Sequence, residues 1–139
     1  MTANEQLLSP DDVATVRSMC EAFARGDWAA AMQPLHADVE WDTTTMGVWP
    51  EAEVLHGRAA VLDFFRRFLG TWEEYHASFE DYEAVGDHVV VSIRDGGRGR
   101  GSGVGVERSF AQLWTVRDGS VVRFRAYPER AVALKAAAG

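Results

Sequence analysis

Three sets of residues in this chain have types and spacing that invite chemistry. The first is Arg94 to Gly105, RDGGRGRGSGVG, with six glycines and three arginines in twelve positions. Such a stretch can cradle a phosphate, grip nucleic acid, or turn a corner. A P-loop needs a lysine directly after its glycines, and the chain's single lysine, Lys135, lies far downstream. A dinucleotide-binding turn must enter a helix, so that the helix N-terminus meets the pyrophosphate. Here strand patterns stand on both sides, and arginine-glycine tracts that bind RNA are longer and disordered. The stretch reads as a hairpin bend. Its glycines permit the turns and bulges of a strongly curved sheet, and its arginines keep the exposed edge soluble.

The second set is Asp38, Glu40 and Asp42, which alternate along one strand pattern. Alternating carboxylates make a solvated face. Read one residue out of step, Asp42 becomes a buried carboxylate with a raised pKa, which is what a general base requires. The third set is His36, His56, His76 and His88. No two are spaced as metal ligands and no carboxylate completes a helical pair, so neither a metal nor a cofactor is expected. Cys20, the one cysteine, falls inside a helical apolar pattern and reads as an inert buried thiol.

The elements that must position these residues follow from punctuation and periodicity. Ser9, Pro10 and Asp12 mark a helix start. Val13, Val16, Cys20 and Phe23 then form one stripe, and Gly26 ends it. Asp27 caps a shorter helix that Pro34 closes. DVEWDT, Asp38 to Thr43, is a strand, followed by a long loop with Gly47 and Pro50. A third helix, Gly57 to Gly70, carries Val61, Phe64, Phe65 and Phe68 on one face. Strands are expected over 75–85, 88–95, 106–116 and 121–127, with turns at Gly86-Asp87 and Arg117–Ser120. Pro128 opens a short last helix. Helices first and antiparallel strands after them indicate an α+β fold with helices on one face of a sheet.

At 139 residues, with 47% hydrophobic and 25% charged residues, the chain fits one domain over 1–139. A formal net charge of -7 opposes affinity for polyanions, so no nucleic-acid partner is expected. The N-terminus lacks a basic segment followed by an apolar core, and no apolar run approaches the ~18 residues of a membrane span. The expectation is a cytoplasmic protein with no membrane partner.

The order of elements resembles the SnoaL-like branch of the NTF2-like superfamily over nearly the whole chain. The residues that carry the resemblance are FARGDWAAAMQPLHADVEWD (Phe23 to Asp42), LHGRAAVLDFF (Leu55 to Phe65) and FAQLWTVRDGSVVRFRAYPERAVAL (Phe110 to Leu134). It implies a cone: a strongly curved, mixed but mostly antiparallel sheet wrapped around three helices, with a short C-terminal helix. It also implies an apolar pocket for a small molecule and a homodimer.

Aligned with the superfamily's steroid isomerase branch, the oxyanion tyrosine falls on Met19. The protonated aspartate falls on Gln112. The base aspartate falls on Thr43, or on Asp42 in the alternative register. Isomerase chemistry by that mechanism is therefore not expected. Strand alternation puts Trp41 with Thr43 and Gln112 with Trp114, and Phe124 faces the same pocket. These residues, with Met19 and Phe65, are the expected ligand contacts. Arg94 joins them as an anion anchor if it points inward, and is a surface arginine otherwise. His56 stands where the pocket mouth is implied, and Trp49 lies in the loop from Thr44 to Leu55 that would lid it. If the protein is an enzyme, the expected reaction is a cofactor-free isomerisation, cyclisation or hydrolysis with Asp42 or His56 as base. If it is not, the same pocket serves ligand binding or protein interaction.

Overall fold

A computed structural model describes residues 9–46 and 53–139. Helix α1 (Ser9–Ala24) buries Val16 and Cys20 of the expected stripe, half-buries Val13 and Phe23, adds Met19 to the buried side, and ends at Gly26, whose φ of +81° only glycine adopts without strain. The Asp27 carboxylate accepts the Ala30 N–H at 3.2 Å and so caps α2 (Trp28–Met32). Strand β1 (Leu35–Asp42), a 3-10 turn (Thr44–Met46), β2 (Val54–His56) and α3 (Arg58–Gly70) follow. Then come β3 (Trp72–Val85), β4 (His88–Gly99), β5 (Gly105–Arg117), β6 (Ser120–Tyr127) and α4 (Arg130–Ala138).

The strands form one sheet in the order β2-β1-β6-β5-β4-β3. Only β1 and β6 run parallel; every other neighbouring pair is antiparallel. One face packs Val89, Val91, Trp41, Trp114 and Phe124 against α1 and α3. The other packs Val90, Ala111 and Leu113 against Ala133 and Ala137 of α4. The α+β cone is the architecture expected.

Several elements differ from the sequence reading. Strand β1 begins at Leu35, β3 begins at Trp72, and β2 forms inside the long loop by pairing Leu55 with Trp41. These extensions satisfy backbone donors and acceptors at the sheet's ends, a demand that side-chain pattern does not encode.

The glycine stretch is strand for its first half. Gly96 lies between Glu107 on β5 and His76 on β3, and a Cβ there would stand 2.3 Å from the Val106 carbonyl oxygen. Only Arg100 to Val104 turn the hairpin, with Gly101 and Gly103 at positive φ. The arginines do more than keep an edge soluble. Arg100 donates to the carbonyls of Gly70 and Trp72 at 3.0 and 3.1 Å, and Arg98 pairs with Glu74. The hairpin is thereby tied to the C-terminal end of α3, where cationic donors suit the exposed carbonyls.

Candidate functional site

Between the sheet's inner face and the helices lies a recess lined almost wholly by apolar groups, including Phe23, Phe64, Phe65 and Phe68 from α1 and α3 and Ile93 and Phe110 from the sheet. Seven residues singled out in the sequence also line it: Met19, Trp41, Thr43, Phe65, Gln112, Trp114 and Phe124. Strand alternation brings the β1, β5 and β6 members together, because odd positions of β1 and even positions of β5 and β6 face inward. Trp41 stacks on Phe124 with centroids 4.0 Å apart and meets Trp114 edge-on at 5.5 Å. These rings fill much of the space. They leave a cavity of about 70 Å³.

Polar groups in the recess are few, and most are spoken for. Thr43 Oγ1 donates to the Glu53 carbonyl at 3.3 Å and accepts the Glu53 N–H at 3.1 Å. Gln112 differs. The Trp114 indole N–H can only donate, so the Gln112 amide oxygen must face it, at 3.1 Å. That assignment turns the Gln112 NH2 away, and it has no hydrogen-bond partner among the described residues.

Two ionisable groups line the recess among the described residues, and burial opposes ionisation of both. Cys20 is pushed up to about 12, chiefly by burial. Because the thiolate is the nucleophile, iodoacetamide should label Cys20 in the folded protein at pH 7.5 at least ~100-fold more slowly than in urea. Comparable rates, followed by mass spectrometry, would show the thiol to be accessible and ionised. Tyr75 is also raised, first by burial and then by the negative charge of Asp95.

Tyr75 leads to a cluster that sequence reasoning missed. Its hydroxyl donates to Asp95 at 2.7 Å, and Arg108 grips the same carboxylate through two bonds of 2.9 and 2.7 Å. The Asp95 side chain is 2% exposed. The Arg108 guanidinium also lies over the rings of Phe68, Trp72 and Phe110, each within 5.7 Å. One signal was available: folding the hairpin symmetrically about Gly101 and Ser102 sets Asp95 directly opposite Arg108.

Three candidates are not brought to the recess. Asp42 points away from it, because Trp41 and Thr43 take the inward positions; its carboxylate instead accepts the Thr44 N–H at 2.8 Å and caps the 3-10 turn. His56 is exposed at the edge of the sheet. Arg94 is exposed and lines a separate polar groove with Ser78, Ser92 and Arg130. Asp42, His56 and Arg94 therefore do not line the recess, against the sequence expectation. Trp49 and the lid expected around it lie outside the described residues. Among the described residues no three of His, Cys, Asp and Glu converge as metal ligands, and no helix is long and apolar enough to cross a membrane.

The SnoaL-like domain profile matches residues 16–124, which span both helical walls and all the inward strands of the recess. The chain belongs to the SnoaL-like family. Solved structures agree with this. An NTF2-like protein from Burkholderia thailandensis is 25% identical, with a TM-score of 0.78 over 90% of this chain and 95% of that one. A candidate polyketide cyclase from Xanthomonas campestris pv. campestris is also 25% identical, with a TM-score of 0.68 over 85% and 90%. TerC, crystallised with polyporic acid, is 19% identical with a TM-score of 0.74 over 93% and 99%, a likeness of fold. No curated protein sequence matches the chain. This SnoaL-like chain is thus a small-molecule-pocket protein. Met19, Thr43 and Gln112, aligned with the steroid isomerase machinery, all line the pocket, and none carries an ionisable group.

Proposed function

We propose that this SnoaL-like protein binds a small, flat, largely apolar organic molecule and holds it by one oxygen on the Gln112 amide, without moving a proton itself. One observation carries the reading: Gln112 lines an aromatic recess with its amide oxygen taken by Trp114 and no hydrogen bond to its NH2 among the described residues, while Cys20 and Tyr75, the ionisable lining groups among the described residues, are held protonated. A donor that opens on an apolar recess is paired only weakly there, so a ligand carbonyl or phenolic oxygen that accepts from it gains affinity.

Gln112→Leu keeps the volume and removes the donor. Affinity for phenol, measured by calorimetric titration, should fall by roughly 5–30-fold, the worth of one buried hydrogen bond. Unchanged affinity would sink the reading.

The same donor supports a second reading, a cofactor-free isomerase, cyclase or hydrolase in which Gln112 stabilises a developing enolate oxygen. It requires a base other than Asp42 and His56. Asp42→Asn that abolishes turnover of any substrate would restore the residue expected from the sequence. We further propose a single domain over 1–139 that forms a homodimer in the cytoplasm. The family resemblance supports the dimer, and sedimentation equilibrium and the distribution of a fluorescent fusion test the two statements.

A further inference from the structure

The face of the sheet turned away from the recess carries a polar groove of its own. Ser78, Arg94 and Ser109 stand directly opposite one another on β3, β4 and β5. Their chain neighbours Phe79, Ile93 and Phe110 line the recess, so alternation turns all three outward. In the next row Ser92 faces Glu80. Arg130, at the start of α4, reaches over that row and donates to Ser92 Oγ at 2.8 Å and to Glu83 at 3.1 Å. Ser78, Glu80, Ser92, Arg94, Ser109 and Arg130 together line a groove of about 240 Å³.

Arg94 is the anomaly in it. Acidic side chains outnumber lysine and arginine in this chain by 21 to 14, and Arg98, Arg108, Arg117, Arg123 and Arg130 each hold a carboxylate. Arg94 holds none, and its guanidinium makes no hydrogen bond among the described residues. Glu80, the acidic side chain in the groove's lining, lies across from Ser92 and does not pair with it. The hydroxyls beside Arg94 also have donors to spare. Ser92 accepts from Arg130 and keeps its own hydrogen, and Ser109 has no partner among the described residues. Ser78 Oγ lies 3.5 Å from the Arg94 carbonyl, at the limit of a hydrogen bond.

The arrangement favours one kind of anion. A planar carboxylate is satisfied by a single arginine fork through its two oxygens. Here donors flank the fork: Ser78 and Ser109 lie two strand spacings apart, about 10 Å between backbones, and Ser92 and Arg130 stand one row on. A tetrahedral group with three outward oxygens can use donors on several sides. A polyanion is disfavoured by the net charge of -7 and by Glu80 and Glu83 at the rim, whereas one small group is governed by the donors it touches.

We propose that this groove binds a phosphate group, free or carried by a small molecule, with Arg94 as its principal anchor and Ser109, Ser92 and Arg130 as the supporting donors. The site lies on the opposite face of the sheet from the recess and does not depend on what the recess binds.

Inorganic phosphate, titrated calorimetrically into the full chain at fixed ionic strength, should bind saturably, and sulfate, of the same shape, should compete with it. Acetate should bind at least ~10-fold more weakly. Arg94→Ala, at an exposed position, should weaken phosphate at least ~10-fold, and Arg94→Lys should recover only part, because it keeps the charge and loses the fork. Glu80→Gln should tighten phosphate by roughly 2–5-fold, a gain that damage to the fold would not produce. Affinity for phenol should be the same in Arg94→Ala as in the parent, which separates this site from the recess. Phenyl phosphate distinguishes the two sources: binding at least as tight as phosphate supports a phosphate carried by a larger molecule, and much weaker binding supports the free ion. No saturable binding of phosphate overturns the proposal, and so does acetate equal to phosphate. Phosphate affinity indifferent to Arg94→Ala overturns it as an adventitious ion only. A change of oligomeric state in Arg94→Ala, with no phosphate binding in the parent, overturns it in favour of a protein carboxylate on the same arginine.

Discussion

Asp95→Asn lowers the melting temperature by roughly 10–20 °C in the expected result, the largest single-residue effect on the surface-ward half of the cone. The substitution is nearly isosteric, so the loss is electrostatic. It removes the carboxylate charge that the Arg108 guanidinium, partly buried among Phe68, Trp72 and Phe110, grips through two bonds. It also weakens the bond that fixes Tyr75. Removing one member of a buried ion pair costs about 3–5 kcal/mol, much of it the penalty of the orphaned partner. In a domain of this size each kcal/mol moves the midpoint by roughly 2–8 °C. The decisive comparison is the double variant with Arg108→Met. With Arg108→Met the guanidinium that needs the Asp95 charge is gone, so the double variant should recover much of the loss in thermal and urea denaturation. A double variant as unstable as the sum of the two singles would show that the pair is not coupled.

Trp41→Ala should cost a similar amount, about 3–5 kcal/mol, for a different reason. Trp41 is buried, stacked on Phe124 and met edge-on by Trp114 and Phe65, so truncation leaves a void that rigid neighbouring rings cannot close. Against a typical total stability of about 5–15 kcal/mol, that loss leaves a marginal fold. Urea midpoints of Trp41→Ala and Trp41→Phe test this, and the Phe variant should retain about half of the difference. The same void enlarges the recess, so phenol should gain affinity for whatever fraction of Trp41→Ala remains folded. A destabilisation below ~1 kcal/mol would mean that the ring cluster is loosely packed and adapts.

Much of the site is legible in the order of amino acids. Period-two alternation sets Trp41 and Thr43 on one face and Asp42 on the other, and it groups Gln112 with Trp114. The ambiguity it leaves is which of the two β1 faces looks inward. Tertiary packing resolves this because Trp41 and Phe124 stack, and burying two aromatic rings outweighs burying one carboxylate. Helix stripes and caps are equally plain, since the Asp27 cap and the turn at Gly26 are settled within a few residues.

What the sequence by itself determined, then, is what a period or a local bond governs: the main helices and strands in their order, which residues of a strand share a face, and the aromatic character of the recess. Tertiary structure alone decided the contacts between distant strands. Tyr75, Asp95 and Arg108 come from three strands and meet only because the β3–β4–β5 register places them together, with a bulge between Glu73 and His76 shifting one strand past the next. The Gln112 amide takes its orientation from the Trp114 indole, which occupies its oxygen. Asp95 sits in a stretch whose glycines advertise a turn, while Gly96 serves close strand packing and the turn itself falls further on. Register and hydrogen-bond pairing depend on which backbones lie side by side, and no period within one strand carries that information.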